Sequence, residues 1–248
     1  MGTPERQFLS FDGRGSGRAV EVLGDLRTAD RVAVLVPGSD TSLDTFGPSG
    51  TAYKTLRGSA QAVHEEMRRS APRGHSAVVA WLGYQPPRTV STDVLTTGRA
   101  DEGATELRRL VSELRAATPS AQVSLLCHSY GSVVCGRAAN QAGGLQVANI
   151  VLYGSPGTSV DSAAQLHTTA RIWAARGAQD WIKNVPNMLL GVLGTTVGFG
   201  PDPVSRGFGA QTFDAGDARH SDYHRPGSRS LHNLALIALG RTPKVPHG

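Results

Sequence analysis

The amino-acid sequence predicts an α/β fold built as one domain. Short apolar runs alternate with segments of helical periodicity, which is typical of parallel strands connected by helices. The chain has 248 residues, of which 39% are hydrophobic and 18% are charged. This length supports one sizeable core, so we expect a single domain over residues 1–248. The composition excludes an intrinsically disordered chain and a coiled coil.

Eight strands are predicted in order along the chain. Residues 7–11 and 18–23 flank the sequence DGRGSG and predict an N-terminal antiparallel hairpin with a glycine-rich turn. Continuous apolar runs are typical of parallel strands that are buried on both faces. Such runs occur at 31–36 (RVAVLV), 77–82 (AVVAWL), 122–127 (QVSLLC), 149–153 (NIVLY) and 171–176 (RIWAAR), with a weaker candidate at 210–214. We therefore expect a mostly parallel, eight-stranded sheet.

Helices are predicted between these strands by apolar residues at helical spacing. The shared faces are Leu56, Ala60, Val63 and Met67 within 52–69; Leu107, Leu110, Val111 and Leu114 within 103–117; and Leu231, Leu234, Ala235 and Ala238 before Gly240. We expect these helices to cover both faces of the sheet. Two long loops interrupt the pattern, at 37–50 and at 183–210. The second is interpreted as a short lid or cap segment over a site, and the alternative is a surface excursion with one short helix.

Composition and charge exclude several classes of protein. The net charge is +5, but the arginines are scattered without interleaved aromatic residues, so nucleic acid is not an expected partner. No apolar run approaches the roughly 20 residues of a membrane-spanning helix, and the N-terminus lacks the pattern of a secretory signal. We therefore expect a cytoplasmic protein that does not bind membranes. Cys127 and Cys135 are expected to be reduced thiols in the core.

The most informative motif is CHSYG at residues 127–131. It follows the apolar strand VSLLC and opens a helix rich in small residues, which is the context of a nucleophile elbow. The sharp turn requires small residues two positions away from the nucleophile, a requirement that Gly131 meets and Cys127 also satisfies. Ser129 is therefore the predicted nucleophile. The alternative is a tight strand-to-helix turn that Ser129 merely caps.

A serine hydroxyl needs a general base and a group that orients this base. His220 follows the last predicted strand and precedes the last helix, where such a base is expected. His224 is a second candidate, His232 is more typical of a packed helical residue, and the turn should direct His128 away from the serine. Asp180 is the predicted acid, just after strand 171–176. The fallback acids are Asp202, Asp214 and Asp161.

The order Ser129, Asp180, His220 is that of α/β-hydrolases and differs from the order in chymotrypsin-like and subtilisin-like enzymes. An oxyanion hole needs two backbone N–H donors. One is expected from Tyr130 and the other from Ser39, with Asp40 as the alternative. The predicted substrate-binding residues are Asp40, Phe46, Trp81, Tyr84, Trp181 and Tyr223. The aromatic members are equally well explained as core residues.

Six motifs together resemble one known family. PGSDTSLDTF, AWLGYQPP, CHSYGS, YGSPG, WAARGAQDWI and HSDYH occur in this order over nearly the whole chain. They are similar to a bacterial α/β-hydrolase family long catalogued as a domain of unknown function. The resemblance implies an α/β-hydrolase fold with Ser129 as nucleophile, Asp180 as acid and His220 as base. The family usually has glycine where this chain has Cys127, and commonly where it has Arg219.

The sequence thus predicts a serine hydrolase that cleaves an ester, less readily an amide, through an acyl-enzyme. The expected partner is a small molecule of medium size, apolar, aromatic and natural-product-like. No cofactor and no metal are implied. Alternatives on the same scaffold are an acyltransferase, or an epoxide hydrolase in which His220 and a carboxylate such as Asp40 activate water. A third alternative is a non-catalytic ligand-binding protein with an occluded pocket or a broken triad.

Overall fold

The computed structural model describes residues 6–47, 51–89, 97–184, 190–192, 195–197 and 199–248 and confirms the predicted α/β-hydrolase fold. The strands are β1 Gln7–Asp12, β2 Arg18–Leu23, β3 Arg31–Val36, β4 Ser76–Leu82, β5 Gln122–His128, β6 Asn149–Tyr153, β7 Arg171–Ala175, β8 Leu190–Val192, β9 Thr195–Val197 and β10 Gln211–Thr212. The α-helices are α1 Leu43–Phe46, α2 Leu56–Ser70, α3 Gly98–Ala117, α4 Gly131–Asn140 and α5 Arg229–Ala238.

The main sheet has eight strands in the order β1-β2-β4-β3-β5-β6-β7-β10. β1 pairs with β2, and β2 with β4, in antiparallel orientation. The remaining pairs of this sheet, from β4 through β3, β5, β6 and β7 to β10, are parallel. The chain moves outward from β3 to β4 and then returns to β5 on the other side of β3. In such sheets, ligands bind outside the carboxyl ends of the strands where the order reverses. This edge lies at the ends of β3 and β5.

Two apolar layers cover the sheet, one on each face. α3 and α4 pack on one face, around residues such as Leu107, Leu125 and Val134. α2 and α5 pack on the other face, around Val63 and Leu234. The apolar residues predicted to face the core from α2, α3 and α5 are all buried. Their helical spacing identified the correct face because one stripe of each helix must leave water.

The helix ends follow local chemistry. The Thr55 side chain accepts a hydrogen bond from the backbone N–H of Gly58 and caps α2, and Ser228 caps α5 through the N–H of Leu231. The predicted strand at 210–214 is reduced to two residues, Gln211–Thr212, which pair with β7. Elsewhere the predicted strand ends agree with the structure within one residue.

Cys127 and Cys135 form a disulfide, which corrects the expectation of reduced thiols. The two residues are eight positions apart, one at the end of β5 and the other on the first turns of α4. The tight elbow between them brings strand and helix close enough for the bond. The disulfide thus joins the two elements that flank Ser129. Both cysteines are fully buried, as the sequence predicted.

The segment at 183–210 contains β8 and β9, which pair in antiparallel orientation as a separate two-stranded ribbon. Residues 185–189, 193–194 and 198 of this segment lie outside the described residues, so the lid interpretation stays a prediction. Among the residues that are described, no helix combines the length and hydropathy needed to span a bilayer.

Candidate active site

The nucleophile elbow is strained at Ser129. Ser129 has φ 50°, in the left-handed region that non-glycine residues rarely adopt. Its N–H donates to the carbonyl of Tyr153, and its own carbonyl accepts from the N–H of Ser132. A Cβ atom at Gly131 would lie 2.4 Å from the Val36 carbonyl oxygen, so only glycine fits there. Backbone contacts on both sides therefore hold the serine at the tip of the turn.

The structure brings Ser129, His220 and Asp180 together. The distance from His220 Nε2 to Ser129 Oγ is 2.9 Å, and the distance from His220 Nδ1 to Asp180 Oδ1 is 2.8 Å. With a neutral imidazole, Nδ1–H donates to the carboxylate, and Nε2 is then free to accept the serine proton. The three side chains come from the loops after β5, β7 and β10. This is the arrangement of a nucleophile, a base and a group that orients the base.

Asp180 is fully buried, and two donors besides His220 bind its carboxylate. The Tyr223 hydroxyl donates to Oδ2 at 2.6 Å and itself accepts from the Gly177 N–H at 2.9 Å. The Ile182 N–H donates to Oδ1 at 2.9 Å. Burial raises the pKa of Asp180, but the hydrogen bonds and charge of His220, then Tyr223 and Ile182, outweigh it, so this pKa lies below its usual value. The carboxylate is therefore kept ionised beside the imidazole.

His128 contacts the base from behind, a role that the sequence did not suggest. Its Nε2–H donates to the backbone carbonyl of His220 at 2.7 Å, and the two rings lie 4.9 Å apart. Burial, followed by the neighbouring His220 and His224, lowers the pKa of His128 to about 3. His128 is thus neutral near pH 7 and fixes the backbone of His220. As predicted, it does not act on the serine itself.

The loop after β3 lies against the nucleophile. A Cβ atom at Gly38 would be 2.7 Å from Ser129 Cβ, so the backbone of this loop passes directly beside the serine. Ser39 follows Gly38 and lines the same cavity, and no described residue accepts a hydrogen bond from its backbone N–H. Tyr130 follows the nucleophile and opens α4. Both predicted oxyanion donors therefore lie beside Ser129.

Asp40, in the loop after β3, is occupied by contacts to the loop after β4. It adopts φ 62°, its N–H donates to the Pro87 carbonyl at 3.0 Å, and its carboxylate accepts from the N–H and the hydroxyl of Thr89. An N–H already bonded to Pro87 is not a free oxyanion donor, which leaves Ser39 as the better candidate. The carboxylate holds the loop after β4 against the loop after β3. Asp40 also lines the cavity, where the sequence placed it.

A cavity of about 650 Å³ opens above Ser129. Of the six predicted substrate-binding residues, Asp40, Trp181 and Tyr223 line it. The structure places the other three, Phe46, Trp81 and Tyr84, in the core. Trp81 stacks on Tyr84 at 5.6 Å, and the Tyr84 hydroxyl donates to the Pro37 carbonyl. Their position near strand ends could not distinguish a side chain that faces the cavity from one that faces the sheet.

Further residues line this cavity that the sequence analysis did not single out for binding. They include Tyr53, Lys54, Tyr153, Pro156, Phe199 and His224. The alternative base His224 contacts the Tyr153 hydroxyl at 3.0 Å, and His232 contacts Glu66 on α2. The fallback acids Asp202 and Asp214 pair with Arg176 and Arg229. Within the described parts of the chain, no group of three or more histidine, cysteine or acidic residues is arranged for a metal ion.

Comparison with known proteins gives relatives that are themselves uncharacterized. The chain is 30% identical over 251 aligned residues to Rv2079 of Mycobacterium tuberculosis, covering 91% of this chain and 37% of that protein. It is 36% identical over 149 residues to Rv0963c of the same species, covering 58% of this chain and 54% of that protein. The chain thus spans about two fifths to one half of the length of these relatives.

Solved structures of similar fold are hydrolases. An α/β serine hydrolase without lid from Xanthomonas campestris covers 100% of this chain and 99% of its own, with 18% identity and a TM-score of 0.53. The match to a dienelactone hydrolase from Anabaena variabilis covers 98% of this chain and 99% of the dienelactone hydrolase, with 15% identity and a TM-score of 0.55. The match to esterase PE8 covers 88% of this chain and 96% of the esterase, with 14% identity and a TM-score of 0.54. At these identities the likeness concerns the fold alone.

The family model described as alpha/beta hydrolase matches residues 12–190, which include the elbow and the acid. The matched region covers most of the chain. The chain belongs to the alpha/beta hydrolase family.

Proposed function

We propose that this protein is a serine hydrolase that cleaves carboxylic esters. The observation that carries the proposal is the continuous chain of hydrogen bonds from Ser129 Oγ through His220 to the buried Asp180. A binding protein on this scaffold has no need for such a chain. The printed names of two structural neighbours, an esterase and a dienelactone hydrolase, are consistent with ester chemistry.

The reaction begins when Ser129 Oγ attacks the acyl carbon while His220 Nε2 takes its proton. The carbonyl π electrons move to oxygen and give a tetrahedral oxyanion. As this intermediate collapses, His220 returns the proton to the departing alcohol, and the acyl group remains on Ser129. Water, deprotonated by His220, then attacks the acyl-enzyme, and the acid leaves with the serine restored. Asp180 stabilises the imidazolium in both halves.

The oxyanion is stabilised by the backbone N–H groups of Tyr130 and Ser39. Donors of this kind are effective because they are already oriented where the negative charge develops. The Asp40–Thr89 contacts and the Tyr84–Pro37 hydrogen bond fix the backbone on either side of Ser39. The rigid loop therefore needs little reorganisation during the reaction.

The cavity favours an apolar substrate of medium size. Its volume of about 650 Å³ is in the range of pockets for drug-sized ligands. Val36, Leu56, Ile182 and Phe199 supply aliphatic and aromatic surface. Trp181 is 49% exposed at the mouth, and its ring lies 4.5 Å from that of His220. This wall suits a flat or aromatic group of the ester.

The alternative epoxide mechanism requires a carboxylate that activates water with His220. Asp40 was the candidate for this role, but Thr89 occupies its carboxylate oxygens. Acyl transfer to an alcohol differs only in the second nucleophile, and no feature of the cavity favours it over hydrolysis. We therefore retain ester hydrolysis, on a small molecule and without a cofactor, as the proposed activity.

The Cys127–Cys135 disulfide indicates the kind of cellular compartment in which the protein folds. Disulfides persist in oxidising compartments and are rare in the cytosol. The Cys127–Cys135 bond therefore favours an oxidising compartment over the cytoplasm that the sequence suggested. Both cysteines are buried, so alkylation of the protein from its native host is performed in denaturant, with and without prior reduction, and distinguishes the two. Alkylation without reduction would indicate free thiols, and a cytoplasmic location would then be the proposal.

The decisive test is covalent labelling with a fluorophosphonate, followed by intact mass. One adduct on the wild type and none on Ser129→Ala are expected, together with loss of ester hydrolysis in the variant. Ser132→Ala is the matched control, because Ser132 is buried in α4 and bonds the Cys127 carbonyl. An unlabelled wild type, or a Ser129→Ala variant that still turns over esters, would refute the assignment.

A further inference from the structure

The cavity contains a polar pair that the proposed mechanism does not use. The Tyr153 hydroxyl and His224 Nε2 lie 3.0 Å apart, and both residues line the cavity. Tyr153 ends β6 and is 1% exposed, whereas His224 lies on the loop after His220 and is 8% exposed. Buried polar groups in an apolar cavity are costly unless they are hydrogen-bonded. This pair is therefore a defined, hydrogen-bonded polar point in a cavity whose lining combines apolar side chains such as Phe199 with polar ones such as Lys54 and Thr41.

The position of the pair is close to the reacting groups. The ring of His128, which directly precedes the nucleophile, lies 5.3 Å from the Tyr153 ring and 6.5 Å from the His224 ring. Ser129, Tyr153 and His224 line the same cavity, so a substrate that fills this cavity contacts the pair. Among the described residues, neither the Tyr153 hydroxyl nor the His224 ring hydrogen-bonds the Ser129, His220 or Asp180 side chain, so the acyl-transfer steps do not explain the pair.

The hydrogen-bonding capacity of His224 is only half used. Nε2 faces Tyr153, and Nδ1 has no partner among the described residues. A neutral imidazole carries one proton, and burial lowers the pKa of His224 to about 4, so the neutral form prevails near pH 7. If Tyr153 donates to Nε2, then Nδ1–H is a donor, and if Nε2–H donates to Tyr153, then Nδ1 is an acceptor.

A hydroxyl group suits either tautomer because it both donates and accepts. A carbonyl group or an ammonium group would suit only one tautomer. We propose that Tyr153 and His224 form a subsite that recognises a hydroxyl group on the substrate ester. The inference rests on the proposed hydrolase function and narrows its substrates to hydroxylated, otherwise apolar esters.

The test compares matched ester pairs that differ by one hydroxyl group. In the first series the hydroxyl group is on the acyl part, and 3- and 4-hydroxycyclohexanecarboxylate esters are compared with the cyclohexanecarboxylate ester. In the second series it is on the alcohol part, and hydroxybenzyl acetates are compared with benzyl acetate. We expect the wild type to prefer the hydroxylated ester by about five- to tenfold in kcat/KM in one series, the effect of one neutral hydrogen bond.

The informative variant is the double substitution Tyr153→Phe with His224→Phe. It removes both polar partners together and keeps the aromatic shape, so it leaves no unpaired buried group. We expect the preference to fall to about onefold. The preference is a ratio of two kcat/KM values within one variant, so any change in absolute rate cancels. Tyr53→Phe, which removes a hydroxyl group from the mouth of the same cavity, is the matched control and should keep the wild-type preference.

The outcomes separate the subsite from the hydrolase function. Equal rates on both members of every pair, or an unchanged preference in the double variant, would overturn the subsite and leave the hydrolase intact. Loss of the preference in Tyr53→Phe would also overturn it, because the hydroxyl group would then be bound at the mouth. Binding of the same pairs to Ser129→Ala, followed by tryptophan fluorescence, tests the subsite without catalysis. A wild type that binds the hydroxylated member more tightly but hydrolyses neither would refute the hydrolase alone.

Discussion

His128, which is partly buried, and His224, which is buried, make the stability of the protein depend on pH above the range in which carboxylates titrate. Burial, together with the other histidines around it, lowers the pKa of His128 from 6.5 to about 3, and burial lowers that of His224 from 6.5 to about 4. Below pH 6.5 the unfolded chain therefore binds two protons that the folded protein does not. Stability rises with pH wherever the unfolded state binds more protons, so acidification must destabilise the fold.

The size of the effect follows from the same values. Well below pH 6.5, each such histidine costs about 1.4 kcal/mol of the free energy of unfolding per pH unit. Integrated from pH 6.5 to pH 5, this gives about 1.6 kcal/mol for each residue and about 3 kcal/mol for the pair. The depressed pKa of Asp180 acts with the same sign but only at lower pH, because it removes stability as the pH falls below the range of free aspartate.

Urea denaturation at several pH values between 5 and 7, followed by tryptophan fluorescence, measures the free energy of unfolding. The wild type should lose about 3 kcal/mol between pH 6.5 and pH 5, and the Tyr153→Phe/His224→Phe variant should lose about half as much. Any constant cost of the substitutions cancels, because only the dependence on pH is compared. A flat wild-type profile, or the same slope in both proteins, would refute the interpretation that these histidines are buried in the neutral form.

Three further predictions concern the site and its support. Tyr223→Phe removes a hydrogen bond to the buried carboxylate of Asp180, so kcat should fall about tenfold or more with a smaller change in KM, and unchanged kcat would contradict the supporting role. Gly38→Ala places a methyl group against the nucleophile and should reduce fluorophosphonate labelling at least about a hundredfold, whereas Gly47→Ala in the same loop meets no atom within 4 Å and should label normally. Replacing Cys127 and Cys135 by alanine should lower the free energy of unfolding by about 2.5 kcal/mol, measured against the oxidised wild type, and equal stability would argue that the disulfide does not form.

The sequence by itself determined the layers of the fold and identified the three residues that the structure brings together as the candidate triad. Apolar runs and helical stripes are local patterns, and they identified the strands and the buried helix faces because each element must bury its own apolar side. The triad was predictable for a related reason. In a parallel sheet the loops at the carboxyl ends of the strands meet at one edge, so the order Ser129, Asp180, His220 along the chain already places the three near one another.

The tertiary structure decided which side chains face one another across that edge. Trp81 and Tyr84 lie near strand ends as the sequence indicated, yet they pack into the core. Asp40 accepts a hydrogen bond from Thr89 and so holds the loop after β3 against the loop after β4. The Cys127–Cys135 bond and the hydrogen bond from His128 to the backbone of His220 also exist only in the folded chain. Each depends on the direction of a side chain and on the approach of a distant backbone, quantities that composition and periodicity do not contain. Local sequence specifies the elements and their order, whereas contacts between loops are set by how those elements pack.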